Sequence, residues 1–125
     1  MKELTTYYMN KDILFKEIHP ISPKDLGSRK KIEIYYATTI DSKFYAIFIV
    51  DSKSRFIRKN ADDLMELCEK LVGYLGHNFK KRELLIKSPL CSKAKEYLKQ
   101  NDWSVRVDFM WYRKYDLSFF GKWKT

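Results

Sequence analysis

The chain has 125 residues, 45% hydrophobic and 16% aromatic, with only 4 Gly and 3 Pro. That is one domain's length with enough apolar surface for a core, and it excludes disordered, collagen-like and linker-like chains. Lys and Arg outnumber Asp and Glu by 25 to 16, a formal net charge of +9, so the partners it attracts are anions: nucleic acid, an anionic membrane surface or a phosphorylated ligand. A solvated surface in a lysine-rich chain explains the same charge.

No run approaches the roughly 18 apolar residues of a membrane span. The first residues, MKELTTYYMNKDILFKEI, contain no apolar signal-peptide core. The 2 cysteines form no dense framework and fit a reducing compartment. The expectation is a single domain over 1–125, located in the cytoplasm.

In chain order, KDILFKEI predicts a short strand from Ile13 to Ile18, followed by a loop set by Pro20, Pro23 and Gly27. KIEIYYATTI places Ile32, Ile34 and Tyr36 on one face and Glu33, Tyr35 and Ala37 on the other, the spacing of a strand. Asp41-Ser42-Lys43 reads as a turn, and FYAIFIV as a nearly all-apolar central strand. A second turn at Asp51-Ser52-Lys53-Ser54 leads into RFI, a brief further strand.

A helix follows. Asn60 is its expected N-cap, Asp62 and Asp63 favour its positive end, and Leu64, Leu67, Cys68, Leu71 and Leu75 form one apolar stripe. GHN at 76–78 stops it. ELLIKSPL is a strand, and CSKAKEYLKQ a short helix turning Ala94, Tyr97 and Leu98 inward. WSVRVDFMWY alternates Val105, Val107 and Phe109 against Arg106, Asp108 and Met110, and the tail LSFFGKWKT adds one more strand. The order β-βββ-α-β-α-β(-β) predicts a mixed α+β or α/β domain with helices packed on a largely antiparallel sheet.

Candidate chemistry is sparse. His19 and His77 are far apart without partners at ligand spacing, so no metal site is expected from them. Cys68 lies on the apolar stripe. Cys91 sits near a helix start, where the dipole and neighbouring lysines stabilise a thiolate. Asp41 and then Asp51-Ser52-Lys53 resemble the spacing of PD-(D/E)XK nucleases, in which two carboxylates hold a divalent metal and a lysine helps place the attacking water. Aspartates in hairpin turns account for the same residues without catalysis. The element order is also similar to the ribonuclease H-like fold, with DDLMELCEKL as its central helix and Glu66 at an acidic position. Ala37-Thr38 and IKSP then stand where other acidic ligands belong, which implies a non-catalytic relative.

The stretch CSKAKEYLKQNDW followed by VRVDFMWYRK resembles the C-terminal half of the GNAT-type acyl-CoA N-acyltransferase superfamily. Ala94 takes a small-residue position, Trp103 an aromatic one, and Met110 and Arg113 echo the last motif. FIRKNADDLMELCEKL falls where that family places a central strand, pyrophosphate loop and long helix. The resemblance implies a GNAT-like fold over residues 31–114 in which two strands splay apart and acetyl-CoA or another acyl-CoA fills the gap. Phe56 and Ile57 would contact the pantetheine arm, Arg58, Lys59, Asn60 and Ala61 the pyrophosphate, and Tyr97 would act as the acid for acyl transfer to an unknown amine acceptor. The competing reading is a non-catalytic basic module for nucleic acid or a protein partner. The aromatics of FMWYRKYDLSFFGKWK would then stack on bases, cover a core, or form the edge of a homodimer.

Overall fold

The computed structural model describes residues 2–27 and 32–107. The central element is the strand β3 (Phe44–Asp51), whose residues from Tyr45 to Val50 are all buried. Before it come helix α1 (Lys2–Met9), strand β1 (Phe15–Ile21), a 3-10 turn (Pro23–Leu26) and strand β2 (Glu33–Thr39). After it come helix α2 (Arg58–Leu75), strand β4 (Lys81–Lys87), helix α3 (Ser92–Gln100) and strand β5 (Trp103–Arg106). The fold is mixed α+β, a five-stranded sheet of order β1-β2-β3-β4-β5. The β1–β2 and β2–β3 pairs are antiparallel, whereas β3–β4 and β4–β5 are parallel.

Helices cover both faces. Ala46, Phe48 and Val50 of β3, with Ile34, Leu84, Ile86 and Trp103, meet the stripe of Leu64, Leu67, Cys68 and Leu71 on α2 and Ala94 and Leu98 on α3. Tyr45, Ile47 and Ile49 point the other way, with Ala37 and Leu85, and are covered by Leu4, Tyr7 and Tyr8 of α1. Strand alternation therefore sorts β3 into two cores. Among the described residues, no helix is long and apolar enough to cross a membrane.

Several expectations need correcting. Helix α1 was not foreseen, although Leu4, Tyr7 and Tyr8 already have the i, i+3, i+4 spacing of one helical face. Pro20 does not end the first strand but lies inside it, opposite Tyr35. Strand β1 is an edge strand, where a residue without an N–H is tolerated. RFI is not a further strand of the sheet, because Phe56 makes only an isolated parallel bridge to Leu90. Asn60 is the third residue of α2 rather than its N-cap, and its Oδ1 accepts the Ile57 N–H at 2.9 Å. Gly76 does end α2, with φ 76°, a left-handed conformation that glycine adopts without strain. The tail strand LSFFGKWKT and the continuation of β5 through Phe109 and Met110 lie outside the described residues.

Candidate functional site

The two parallel pairings decide where chemistry can gather. In a β3–α2–β4 crossover the chain leaves the C-terminal end of β3, enters α2 and returns parallel. The ends of β3 and β4 and the start of α2 therefore share one edge of the molecule. Ligands of parallel β-α-β units commonly collect outside the C-terminal ends of the strands. An open cleft of about 290 Å³ occupies that edge. Ile32, Val50 and Phe56 form its apolar wall, and Asp51, Asp63, Arg55, Asn60 and the serines Ser52, Ser54 and Ser88 its polar lining. Ser52 Oγ accepts the Ser54 N–H at 3.1 Å, shaping the loop. The buried Ser88 hydroxyl has no hydrogen-bond partner among the described residues.

The nuclease-type trio does not assemble. Asp41 lies in the β2–β3 hairpin turn, at the start of β3, and Asp51 at its end. The strand between them has 8 residues, a separation of roughly 25 Å. Hydrogen bonds from the Thr39 hydroxyl and from Lys43 hold the Asp41 carboxyl below the usual carboxylate range, and Lys43 Nζ approaches it at 3.2 Å. Asp41 serves its turn. Lys53 is exposed and does not line the cleft. What joins Asp51 is Asp63 on the second turn of α2, which sequence reasoning had credited only with helix polarity. The signal was available in the β-α-β run, since a parallel crossover brings these segments together. Among the described residues, no group of three or more His, Cys, Asp or Glu is arranged to hold a metal ion.

The six residues assigned to cofactor contacts lie around the start of α2. Phe56 is buried, Ile57 precedes the helix, Ala61 is buried, and Arg58 and Lys59 are exposed. The Arg58 guanidinium stacks over the half-buried Tyr97 ring, 3.8 Å from its centroid. That contact ties α2 to α3.

The two cysteines differ as their positions require. Burial pushes the Cys68 thiol up to about 11. At the N-cap of α3, the backbone N–H groups of Ala94 and Lys93 pull the Cys91 thiol below its ordinary value, with help from the charges of Arg55 and Lys93. Thiol titration of the native protein is expected to show one group reacting fast, with a pH midpoint below that of free cysteine, and a second reacting only on unfolding. Loss of the fast phase in Cys91→Ser identifies it. Two equally fast phases would contradict the burial of Cys68.

No family model matches the chain, and no curated protein matches its sequence. Among solved structures it is similar to EndoMS in apo form, with a TM-score of 0.52 and 14% identity over 84% of this chain. The match takes in 44% of the EndoMS chain, so this chain spans less than half that length. The likeness is one of fold, and it overturns the GNAT resemblance together with the acyltransferase and acetyl-CoA reading built on it. The physical reason is visible in the sheet. The central strand expected at Phe56 and Ile57 does not form, since Phe56 makes only an isolated bridge to Leu90, and β3 and β4 pair without a break from Tyr45↔Lys81 to Asp51↔Lys87, leaving no splayed gap between them for a pantetheine arm. The architecture is a mixed five-stranded sheet between helices, similar in fold to EndoMS rather than GNAT-like.

Proposed function

We propose that this chain engages nucleic acid and presents a phosphodiester to the Asp51–Asp63 cleft for metal-assisted hydrolysis, the reading closest to a PD-(D/E)XK-like nuclease. The observation that carries it is the convergence of Asp51, Asp63 and Arg55 in one cleft, on a nuclease-like fold with a net charge of +9. The donor set suits a hard divalent cation of the Mg²⁺ type, which takes oxygen ligands through one or two carboxylates plus substrate phosphate. Asp51 and Asp63 are the residues that would hold it. Such a cation supplies Lewis-acid polarisation of the phosphoryl oxygen and a bound water of lowered pKa.

The chain's own groups divide the remaining work. Arg55 attracts the phosphate and can meet it through two parallel N–H bonds. The wall of Ile32, Val50 and Phe56 excludes water from one side, which strengthens each of these interactions.

The test is cleavage of labelled single- and double-stranded oligonucleotides with Mg²⁺ or Mn²⁺. Asp51→Asn is expected to lower the rate about 100-fold, equivalent to about 2.7 kcal/mol of transition-state stabilisation. Binding should persist or tighten, because a carboxylate has been removed from beside the phosphate. Calorimetry should show weaker Mn²⁺ binding in the same variant. Cleavage unchanged by Asp51→Asn would remove the cleft from the chemistry. Absence of nucleic-acid binding by the wild type would sink the whole reading.

A further inference from the structure

Helix α3 starts beside the cleft and leads away from it. Its first turn is fixed there by the backbone bond from Cys91 N–H to Phe56 O, 3.0 Å, and by the Phe56–Leu90 bridge. Ala94 and Leu98 take its buried side, which leaves Lys93, Lys95 and Lys99 exposed. Lys95 and Lys99 stand one helical turn apart on the same face, and Arg55 is exposed at the cleft end. Lys93 lies in the first turn of α3, and Arg55 immediately precedes Phe56, whose backbone holds Cys91 at the helix start, so both cations lie near that end of α3. Among the described residues, none of these four cations is within ion-pair distance of a carboxylate. Glu96 is the acidic residue of α3, so the exposed helix face keeps a net positive charge.

We infer that the exposed side of α3, with Lys95 and Lys99 on one flank and Lys93 on the other, is a track for a nucleic-acid backbone leading from Arg55 into the cleft. This rests on the nucleic-acid reading above and adds to it a surface separate from the reacting centre. Charge density favours a polyphosphate over an acidic protein segment. The 9 residues of α3 span about 13 Å, along which a duplex presents about eight phosphate charges. The lysines are exposed, so their attraction is screened by salt and its measure is a salt slope rather than an affinity at one condition.

The experiment uses the full chain with a duplex oligonucleotide and a single strand of the same sequence. Binding is followed against salt for the wild type, for Lys93→Gln/Lys95→Gln/Lys99→Gln, and for Lys16→Gln/Lys24→Gln/Lys80→Gln. The last variant removes the same charge from exposed lysines elsewhere. The α3 variant is expected to reduce the slope of log K against log salt by about 2–3 and to weaken binding at least about tenfold near 0.1 M salt. The control should retain both slope and affinity, and all three proteins should melt together. Equal losses in both variants would mean that net charge alone acts, and overturn the track. An unchanged α3 variant would overturn it too, while wild-type binding leaves the cleft reading intact. If the wild type binds neither nucleic acid, the nucleic-acid reading itself fails and the track with it.

Discussion

Glu83→Ala is expected to destabilise the protein by about 3 kcal/mol, in the range for breaking a buried ion pair from one side. Glu83 is 1% exposed in the middle of the sheet. Its Oε1 accepts Arg106 Nε at 2.7 Å and the Tyr8 hydroxyl at 3.0 Å. Burial tends to lower the Arg106 pKa, and the hydrogen bond and charge of Glu83 reverse that and raise it. Removing the carboxylate strands a guanidinium that is 25% exposed and a tyrosine hydroxyl with no acceptor. Partial access to water places the loss toward the lower end of the range. The pair itself need not stabilise the fold. The triple variant Glu83→Leu/Arg106→Met/Tyr8→Phe removes every member at once and should recover most of the lost stability. Urea unfolding of the single and triple variants checks this. A single variant within 1 kcal/mol of wild type would show that the carboxylate is not needed.

Phe48→Ala should cost about 3–5 kcal/mol, a large part of the roughly 5–15 kcal/mol that holds a domain folded. Phe48 is 0% exposed at the centre of β3, paired with Ile34 on one side and Leu84 on the other. Its ring lies 5.5 Å from that of Trp103, so truncation opens a cavity between the sheet and the layer of α2 and α3. Strands on both sides are pinned by backbone bonds and cannot close the gap, which places the loss high in the range. Ile18→Ala on the edge strand, where the side chain is half-buried, should cost far less. Guanidinium midpoints separate the two. Equal losses would mean that the sheet's core is not centred on β3.

The central strand and long helix were legible because local composition is sufficient for them. FYAIFIV is apolar on both faces because both faces are covered, and the α2 stripe faces one sheet. Helix α1 was missed because its buried face is largely two tyrosines in a polar stretch. The acyltransferase reading erred for a more general reason. Strand, helix, strand, helix and strand follow one another in many α/β folds, and what separates them is which strands pair and whether they part. Pairing is a long-range property that a single sequence does not display. The site failed in the same way. Asp51 was matched to Asp41, which the strand holds at its opposite end. Its cleft companion, Asp63, comes through the crossover helix.

The sheet order repeats the chain order, and this has a kinetic meaning. Each strand finds its partner in the next strand of the sequence, so no ladder waits on a distant strand, although the two parallel ladders must each close across a crossover helix. Helix α1 is the exception. Its Tyr8 hydroxyl waits for Glu83, 75 residues later in the chain, and its covered face includes Leu85 of β4. Refolding is therefore ordered from within. The meander and the α2 crossover can form from local contacts, and the N-terminal helix clasps a sheet that must already have been built.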